Sequence, residues 1–325
     1  MPKSILLTGS TGFVGTNLVK SLTLKSDYIV KSAVRHAVNQ DDGLLFEVGD
    51  INASTDFELP LKNTTVVVHC AARAHVMDDK EAEPLALYRE VNTAGTVNLA
   101  KQAIDSGVKR FIFISSIKVN GEGTLAGCPF KPEDNHAPED DYGLSKSEAE
   151  KQLVALAKDS GMEVVIIRPT LVYGPGVKAN FASIMNLVSK GIPLPFGCIT
   201  KNKRSLVSVD NLVDLIITCI DHPKAANQVF LVSDNQDVST SEMVREMAIA
   251  LGKPSWQLPI PVWCYKFAGK LFNKSEVVDR LTGSLQVDIA HTKQTLGWVP
   301  PQTLQQGFKQ TAQAFLRSKN NSGKS

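Results

Sequence analysis

The 325-residue sequence has little of several features that mark specialised classes of protein. Its five cysteines form no C-x-x-C pair, so neither a disulfide framework nor a metal site is expected, and reduced thiols favour a cytoplasmic location. No apolar run approaches the ~18 residues that a membrane-spanning helix needs. Basic residues number 35 and acidic residues 33, and this balance gives no electrostatic reason to bind nucleic acid or anionic lipid.

The first half of the sequence alternates short β-branched runs with amphipathic stretches. Runs that predict strands occupy residues 4–8, 28–35, 65–70, 110–115 and 163–168. Stretches that predict helices occupy residues 15–24, 88–106 and 142–160. This alternation is typical of an α/β fold with a doubly wound, Rossmann-like parallel sheet. The carboxyl ends of such strands meet at one edge of the sheet, where ligands bind.

In the second half of the sequence the alternation of predicted strands and helices breaks down, and prolines interrupt the chain. We therefore expect a dinucleotide-binding domain over residues 1–175, with residues 205–233 returning to its sheet. Residues 176–204 and 234–318 are expected to form a smaller C-terminal substrate-binding domain. The polar residues 319–325 are expected to be a flexible tail.

A glycine-rich turn joins the first predicted strand to the first predicted helix. Gly9, Gly12 and Gly15 have the spacing G-x-x-G-x-x-G in this turn. Glycines let the backbone approach a pyrophosphate, and the N-terminus of the helix supplies N–H groups and partial positive charge. The turn therefore predicts a dinucleotide site.

The end of the second predicted strand bears on which dinucleotide binds. Arg35 lies 20 residues after Gly15, where a carboxylate would bind the ribose of NAD and an arginine suits the 2′-phosphate of NADP. NADP is therefore favoured, with NAD as the alternative. Asp50, followed by Ile51, ends a further predicted strand and is a candidate to bind the adenine amino group, or equally a turn carboxylate.

Tyr142 and Lys146 are one helical turn apart at the start of a predicted helix, so both side chains point the same way. A nearby ammonium group favours the phenolate form and is expected to lower the pKa of Tyr142. The pair could then exchange protons near neutral pH. Ser115 and Ser116 end a predicted strand and can supply a hydroxyl group to hold the reacting oxygen.

In combination, these motifs resemble the extended short-chain dehydrogenase/reductase group, and within it the NAD-dependent epimerase/dehydratase family that acts on nucleotide sugars. The resemblance extends to about Thr311. Its further motifs are His69-Cys70-Ala71-Ala72, Val91 to Thr96, Arg168-Pro169, Val172 to Pro175 and Leu296-Gly297-Trp298. It implies that Ser116 is the catalytic serine, that Tyr142 is the acid/base, and that Lys146 is its pKa partner and a ribose contact. It also implies a homodimer formed through the helices at 88–106 and 142–160.

Together with the positions argued above, the resemblance gives a set of expected cofactor contacts. They are Gly9, Thr11, Gly12, Phe13, Val14, Gly15, Arg35, Asp50, Ile51, Ala71, Ala72, Arg73, Asn92, Ser115, Tyr142, Lys146 and Pro169.

The expected substrate is a UDP-sugar. Arg204 matches the family arginine that binds the diphosphate, Arg280 is a looser match for a second arginine, and Asn180-Phe181 match a position near the uridine. Lys118 follows Ser116 by two residues, which puts it on the same side of an extended chain and makes it a further candidate.

Three chemistries compete within this family. Dehydratases carry an Asp-Glu pair after the catalytic serine, where this sequence has Ile117 and Lys118. Epimerases retain NAD and usually show an acid where this sequence has Arg35. Residues 115–123 and 173–181 are similar to bacterial reductases of surface-polysaccharide pathways. We therefore expect an NADPH-dependent reductase of a UDP-linked 4-keto-6-deoxy sugar. A UDP-hexose or UDP-N-acetylhexosamine 4-epimerase is the close alternative, and a non-catalytic NADP sensor is a remote one.

An aromatic segment near the end of the sequence, residues 263–272, allows two interpretations. It is either the packed face of a helix or an interfacial helix that touches a membrane, which its intervening lysines permit. Packing is the commoner explanation and is the one expected here.

Overall fold

Seven parallel strands form the central sheet. The computed structural model describes residues 2–36, 44–74, 83–125 and 127–322. The strands of the large sheet, numbered along the chain, are β1 (Lys3–Thr8), β2 (Tyr28–Val34), β3 (Leu45–Glu47), β4 (Val66–His69), β5 (Arg110–Ile114), β6 (Glu163–Pro169) and β9 (Val229–Val232). Their order in the sheet is β3-β2-β1-β4-β5-β6-β9. The chain thus begins in the middle of the sheet and winds outward in both directions, as the strand–helix alternation predicts.

A second, three-stranded sheet corrects part of the domain prediction. It contains β7 (Leu171–Tyr173), β8 (Arg204–Ser208) and β10 (Asp237–Val238), in the order β10-β8-β7. Residues 205–208 therefore do not return to the large sheet, because β8 pairs with β7. The edge of the large sheet beyond β6 is taken by β9 instead.

Helices cover both faces of the large sheet. The described α-helices are α1 (Phe13–Thr23), α2 (Glu58–Leu61), α3 (Pro84–Tyr88), α4 (Thr96–Asp105), α5 (Asp141–Ser160), α6 (Ala179–Ser189), α7 (Val209–Asp221), α8 (Thr240–Ala250), α9 (Val262–Leu271), α10 (Ser275–Thr282), α11 (Ala290–Leu296) and α12 (Leu304–Ser322). Alternate residues of β1 serve the two faces: Ile5 and Leu7 join the core under α1 and α7, and Leu6 joins the core under α4 and α5.

Two segments differ from the helices and tail that the sequence predicts. The stretch 88–106 is one continuous prediction, but a π-helical turn, Arg89–Gly95, separates α3 from α4. Such turns are frequent at functional sites, and this one holds the buried Asn92. At the other end of the chain, α12 continues to Ser322, so the first residues of the predicted tail are helical, and residues 323–325 lie outside the described part of the chain.

A separate core lies under the small sheet. Tyr173, Phe181 and Phe308 contact one another in a triangle of stacked rings, with centroids 5.3 Å, 4.9 Å and 5.7 Å apart. Residues from α6, α8 and α12 complete this core. No helix among the described residues is long and apolar enough to cross a membrane.

The turn after β1 generates the first prediction, for Gly15→Ala. A Cβ atom at Gly15 would lie 2.1 Å from the carbonyl oxygen of Gly9, a backbone atom that cannot rotate away. We expect the variant to lose about 1–3 kcal/mol of unfolding free energy in urea denaturation, in spite of the roughly 1 kcal/mol that alanine gains over glycine in a helix. Gly123→Ala is the matched control, because its nearest contact would be an ordinary 3.7 Å. Equal stability of the two variants would contradict this account.

Candidate active site

The glycine-rich turn lies at the carboxyl edge of the large sheet. Gly9 has a positive φ of 72° and packs against the loop after β4, where a Cβ would lie 2.6 Å from the Ala71 nitrogen. Helix α1 begins directly after Gly12, and neither a capping side chain nor an acidic residue occupies its first turn. The uncapped N–H donors of this turn, which also contains Phe13 and Val14, fit the pyrophosphate of a dinucleotide.

A chain of hydrogen bonds fixes the strand ends beside this turn. Thr96 Oγ1 donates to the carbonyl oxygen of Asn92 at 2.7 Å, so it accepts from His69 Nε2 at 2.9 Å. His69 Nδ1 is then the acceptor for Thr8 Oγ1 at 2.6 Å. Burial, with the nearby Lys146 charge, lowers the pKa of His69 to about 3. The imidazole is therefore a neutral structural link between β1, β4 and α4.

Asn92 has a different role from the one predicted. Its side chain is fully buried and contacts protein atoms rather than facing the edge of the sheet. Its Oδ1 accepts from the Arg73 nitrogen at 2.8 Å, and its Nδ2 donates to the Arg73 carbonyl at 3.0 Å and to Ser145 Oγ at 3.0 Å. Asn92 thus positions the loop after β4, in which Ala71 and Ala72 lie partly exposed.

Two of the expected cofactor contacts, Arg35 and Asp50, form an ion pair with each other. Arg35 Nε lies 2.6 Å from Asp50 Oδ1, and the two side chains are 70% and 71% exposed. The charge of Arg35 is therefore matched by a carboxylate, which the sequence count did not reveal. Ile51 is partly buried against Gly95, and Pro169 is buried at the end of β6.

The structure brings Ser116, Tyr142 and Lys146 together at the end of β5. Ser116 Oγ accepts from the Lys118 nitrogen at 3.2 Å, which caps a short 3-10 helix, and it also hydrogen-bonds with Tyr142. Tyr142 lies in the first turn of α5 and is partly buried. Lys146, one turn later, is 1% exposed and donates to the Ile114 carbonyl at 2.9 Å.

The ionisation of this group corrects one expectation. Burial, and after it the charge of Asp140, raise the pKa of Tyr142 to about 12, although the hydrogen bond with Ser116 acts to lower it. The ammonium group of Lys146, which was expected to lower this pKa, donates to the Ile114 carbonyl, and the pKa of Tyr142 is raised rather than lowered. Burial lowers the pKa of Lys146 itself to about 8. In the protein alone, Tyr142 is thus a protonated phenol poised as a donor.

Lys118, which its spacing predicts as a substrate contact, forms two ion pairs in the structure. Its Nζ lies 2.5 Å from Asp140 Oδ2 and 2.6 Å from Glu122 Oε1. Asp140 also caps α5 by accepting from the Gly143 nitrogen at 2.7 Å. Because Lys118 bonds to two carboxylates, it fixes the loop after Ser116 against the start of α5.

A buried polar cluster behind these residues was missed by the sequence analysis. Arg168 and Glu150 are each 2% exposed and pair at 2.6 Å. Arg168 also donates to Asn120 Oδ1 at 3.0 Å and to His136 Nε2 at 2.7 Å. Ser115, predicted as a cofactor contact, donates its hydroxyl hydrogen to Glu150 and faces this cluster instead.

Two sequence signals could have found the cluster. Arg168 is the one charged residue in the otherwise apolar run 164–169, and a charge in a buried strand needs a partner. Glu150 follows Lys146 by one helical turn on the same helix, so it faces the same strand ends.

The expected substrate residues divide into two groups. Arg204 begins β8 and donates to the Arg280 carbonyl at 2.9 Å, and burial lowers its pKa while the nearby Glu122 raises it. These two arginines thus lie beside the loop that follows Ser116. In contrast, Phe181 is 2% exposed in the second core, so its ring cannot contact a uridine. The side chain of Asn180 lies outside the described part of the structure.

A parallel sheet with a glycine-rich first turn, a serine after β5, and a tyrosine and lysine on the helix beside it defines a dinucleotide-dependent enzyme of the short-chain dehydrogenase type. The chain belongs to the NAD dependent epimerase/dehydratase family, whose model matches residues 5–233. The predicted family and fold class are therefore confirmed.

Individual relatives are similar over almost the whole chain. A UDP-glucose 4-epimerase of Vibrio cholerae is 89% identical over 320 residues, which cover 98% of each chain. An N-acetyl-alpha-D-glucosaminyl-diphospho-ditrans,octacis-undecaprenol 4-epimerase of Escherichia coli O157:H7 is 30% identical over 98% of this chain and 97% of its own. The structure of MoeE5 in complex with UDP-glucuronic acid and NAD is 25% identical, with a TM-score of 0.77 and coverage of 97% and 99%.

The depressed pKa of Lys146 predicts a pH-dependent stability. Between the folded value of about 8 and the ordinary 10.5, the unfolded chain binds more protons, so unfolding free energy rises with pH through this window. Over this pH window the unfolding free energy of wild type should rise by up to roughly 3 kcal/mol, whereas that of Lys146→Met should not show this rise. Urea denaturation at a series of pH values measures the difference. The exposed Lys158→Met is the control and should follow wild type, whereas parallel profiles for Lys146→Met would refute the prediction.

Proposed function

We propose that this protein is a UDP-sugar 4-epimerase that works with a retained NAD. The observation that carries the proposal is 89% identity to a UDP-glucose 4-epimerase over 98% of both chains, which leaves little room for a change of chemistry. The grouping of Ser116, Tyr142 and Lys146 at one strand end supports it. None of the three relatives described above carries the name of a 4-keto reductase.

Arg35 was expected to bind the 2′-phosphate of the NADPH that a reductase consumes. In the structure Arg35 is paired with Asp50, whose carboxylate would repel a 2′-phosphate. Without an NADP-type site, an exchange of reduced cofactor at every turnover loses its support. NAD is therefore the proposed cofactor, in agreement with the NAD in the MoeE5 complex.

The chain's own residues supply the proton chemistry. Ser116 would hold the C4 oxygen of the sugar while Tyr142 takes the hydroxyl proton and later returns it. A bound NAD would supply the acceptor for the C4 hydride and the donor for its return. Tyr142 must become a base in the first half of the cycle, and a positive charge beside the phenol favours this ionisation.

Inversion at C4 requires that the 4-keto sugar present its other face before the hydride returns to C4. The diphosphate must stay bound while the sugar turns, and Arg204 is the proposed anchor for it. The partly buried position of Arg204 next to the Ser116 loop suits this role, because a desolvated guanidinium binds phosphate strongly.

The proposal predicts turnover without added cofactor. Purified protein incubated with UDP-glucose or UDP-N-acetylglucosamine should form the C4 epimer, measured by chromatography or NMR. Tyr142→Phe should lower kcat by roughly 10²- to 10⁴-fold, because the proton has no acceptor. Tyr28→Phe is the matched control, since its hydroxyl pairs with Asp221 at the opposite edge of the sheet. Consumption of NADPH with a 4-keto sugar, without epimerisation of either substrate, would establish the reductase instead.

The Arg35–Asp50 pair predicts the cofactor preference. Wild type should bind NAD at least tenfold more tightly than NADP in calorimetric titrations, a difference of about 1.4 kcal/mol. Asp50→Asn should narrow that preference, because it removes the repelling charge and frees Arg35. Arg35→Ala should leave NAD affinity nearly unchanged. A wild-type preference for NADP that Arg35→Ala abolishes would restore the original interpretation.

The homodimer and the cytoplasmic location remain predictions. A groove of about 860 Å³ lies between α3–α4 and α5 and is lined by residues such as Arg89, Val97 and Glu148. Its lining includes none of the three catalytic candidates, and it lies on the helices through which the family resemblance implies dimerisation. We propose it as part of that dimer surface.

A further inference from the structure

Helix α9 carries a row of large apolar side chains that no other described part of the chain covers. Trp263, Phe267 and Leu271 are spaced by four residues, and they are 69%, 67% and 68% exposed. Trp256, in the preceding segment, is 66% exposed, and Phe272 directly after the helix is 70% exposed. We call these five residues the aromatic row. The expectation that this segment is packed is therefore wrong for its largest side chains.

The opposite face of α9 explains why the aromatic row stays outside. Val262 and Tyr265 pack against the second core, and Gly269 contacts α10, where a Cβ would lie 2.8 Å from a Val278 methyl group. At 100° per residue, these three positions lie on the side of the helix opposite to the aromatic row. The row is thus held outward by a helix that is firmly packed on its other face.

The charge around the aromatic row is basic. Between Glu246 and Glu276 the sequence contains no acidic residue, but it contains Lys253, Lys266, Lys270 and Lys274. By helical angle, Lys266 and Lys270 lie along one flank of the row. Helix α10, which packs on α9, adds Glu276, Asp279 and Arg280, so the four lysines and one arginine of this region outnumber its two carboxylates. The net charge of +2 for the whole chain therefore conceals a locally basic surface, and the inference from the total against anionic lipid does not apply to this helix.

We propose that α9 docks the protein on the surface of a bilayer that contains anionic lipids. A row of aromatic and leucine side chains flanked by lysines is the pattern of helices that lie in the membrane interface, where tryptophan is favoured. The lysines are complementary in charge to an anionic membrane surface. Their positive charges would not strengthen binding to a neutral bilayer or to an apolar protein groove.

Docking through α9 would place the substrate side of the protein toward the membrane. Helix α9 packs on α10, and the Arg280 carbonyl of α10 accepts a hydrogen bond from Arg204, the proposed diphosphate anchor. This step rests on the proposed function. It extends the substrate class from free nucleotide sugars to sugars linked through a diphosphate to a membrane lipid, which the undecaprenol-linked substrate in the name of the Escherichia coli relative also favours.

The test is co-sedimentation with vesicles of phosphatidylcholine alone or mixed with phosphatidylglycerol. Wild type should pellet with the mixed vesicles, more weakly at high salt, and little with phosphatidylcholine alone. The double variant Trp263→Ser/Phe267→Ser should lower partitioning at least tenfold. Lys266→Gln/Lys270→Gln should lower it roughly 25-fold at low salt, since each lysine near such a surface contributes about fivefold.

Matched control variants distinguish binding through α9 from non-specific binding to vesicles. Leu24→Ser/Leu59→Ser removes two side chains that are 88% and 72% exposed elsewhere, and Lys20→Gln/Lys309→Gln removes two exposed charges. Both controls should pellet like wild type. Failure of wild type to pellet overturns the proposal, as does unchanged pelleting of the α9 variants.

Self-association and epimerisation of UDP-glucose are measured alongside vesicle binding, to distinguish the remaining interpretations. Self-association that Trp263→Ser/Phe267→Ser abolishes, without vesicle binding, would assign the aromatic row to a second copy of the chain. Epimerisation of UDP-glucose is measured for every variant and should persist, because the row lies outside the site. Vesicle binding without epimerisation by wild type would reject the proposed function but not the docking surface.

Discussion

The buried ion pair between Glu150 and Arg168 is the contact on which the candidate active site depends. It ties α5 to β6, and through Ser115 and Asn120 it also holds the segment that leaves β5. Tyr142 and Lys146 are carried by α5, and Ser116 by that segment, so one cluster fixes all three. Removal of either charged partner would leave the other buried and unpaired, which typically costs about 3–5 kcal/mol. The same cluster therefore couples folding to the alignment of the reacting groups.

A second consequence of burial is the protonation state of the site. The low-polarity surroundings that raise the pKa of Tyr142 also lower that of Lys146, because burial disfavours the charged form of each group. A simple phenolate–ammonium pair is therefore not the resting state. The acid/base balance of the site must change when a charged ligand enters, and this links proton transfer to the presence of cofactor and substrate. Asp140 contributes to that balance, because it raises the pKa of Tyr142 while it caps α5.

Local patterns predicted a large part of this fold, and long-range contacts account for what they missed. The β-branched runs marked five of the seven strands of the large sheet, β1, β2, β4, β5 and β6, to within a residue or two. The turn at Gly9 to Gly15 and the Tyr142–Lys146 spacing depend only on neighbours in sequence. The π-helical turn and the pairing of β8 with β7 depend on segments that meet only after folding. For the same reason, spacing could not show that Phe181 packs in a core or that Ser115 turns inward.

The charged residues show most clearly what cannot be predicted from the sequence, because their partners are far away along the chain. Counted along the sequence, Arg35 was an unpaired cation suited to a phosphate, and Lys118 was one facing a sugar, but each has a carboxylate partner in the fold. The lysines of α9 were, conversely, counted within a balanced total, although no acidic residue lies near them in sequence. The effect of a charged side chain on a ligand depends on the electrostatic field that is left once the charges of its neighbours are counted. Cofactor choice and surface binding in this protein therefore follow from the pairing of charges, and the composition alone fixes neither.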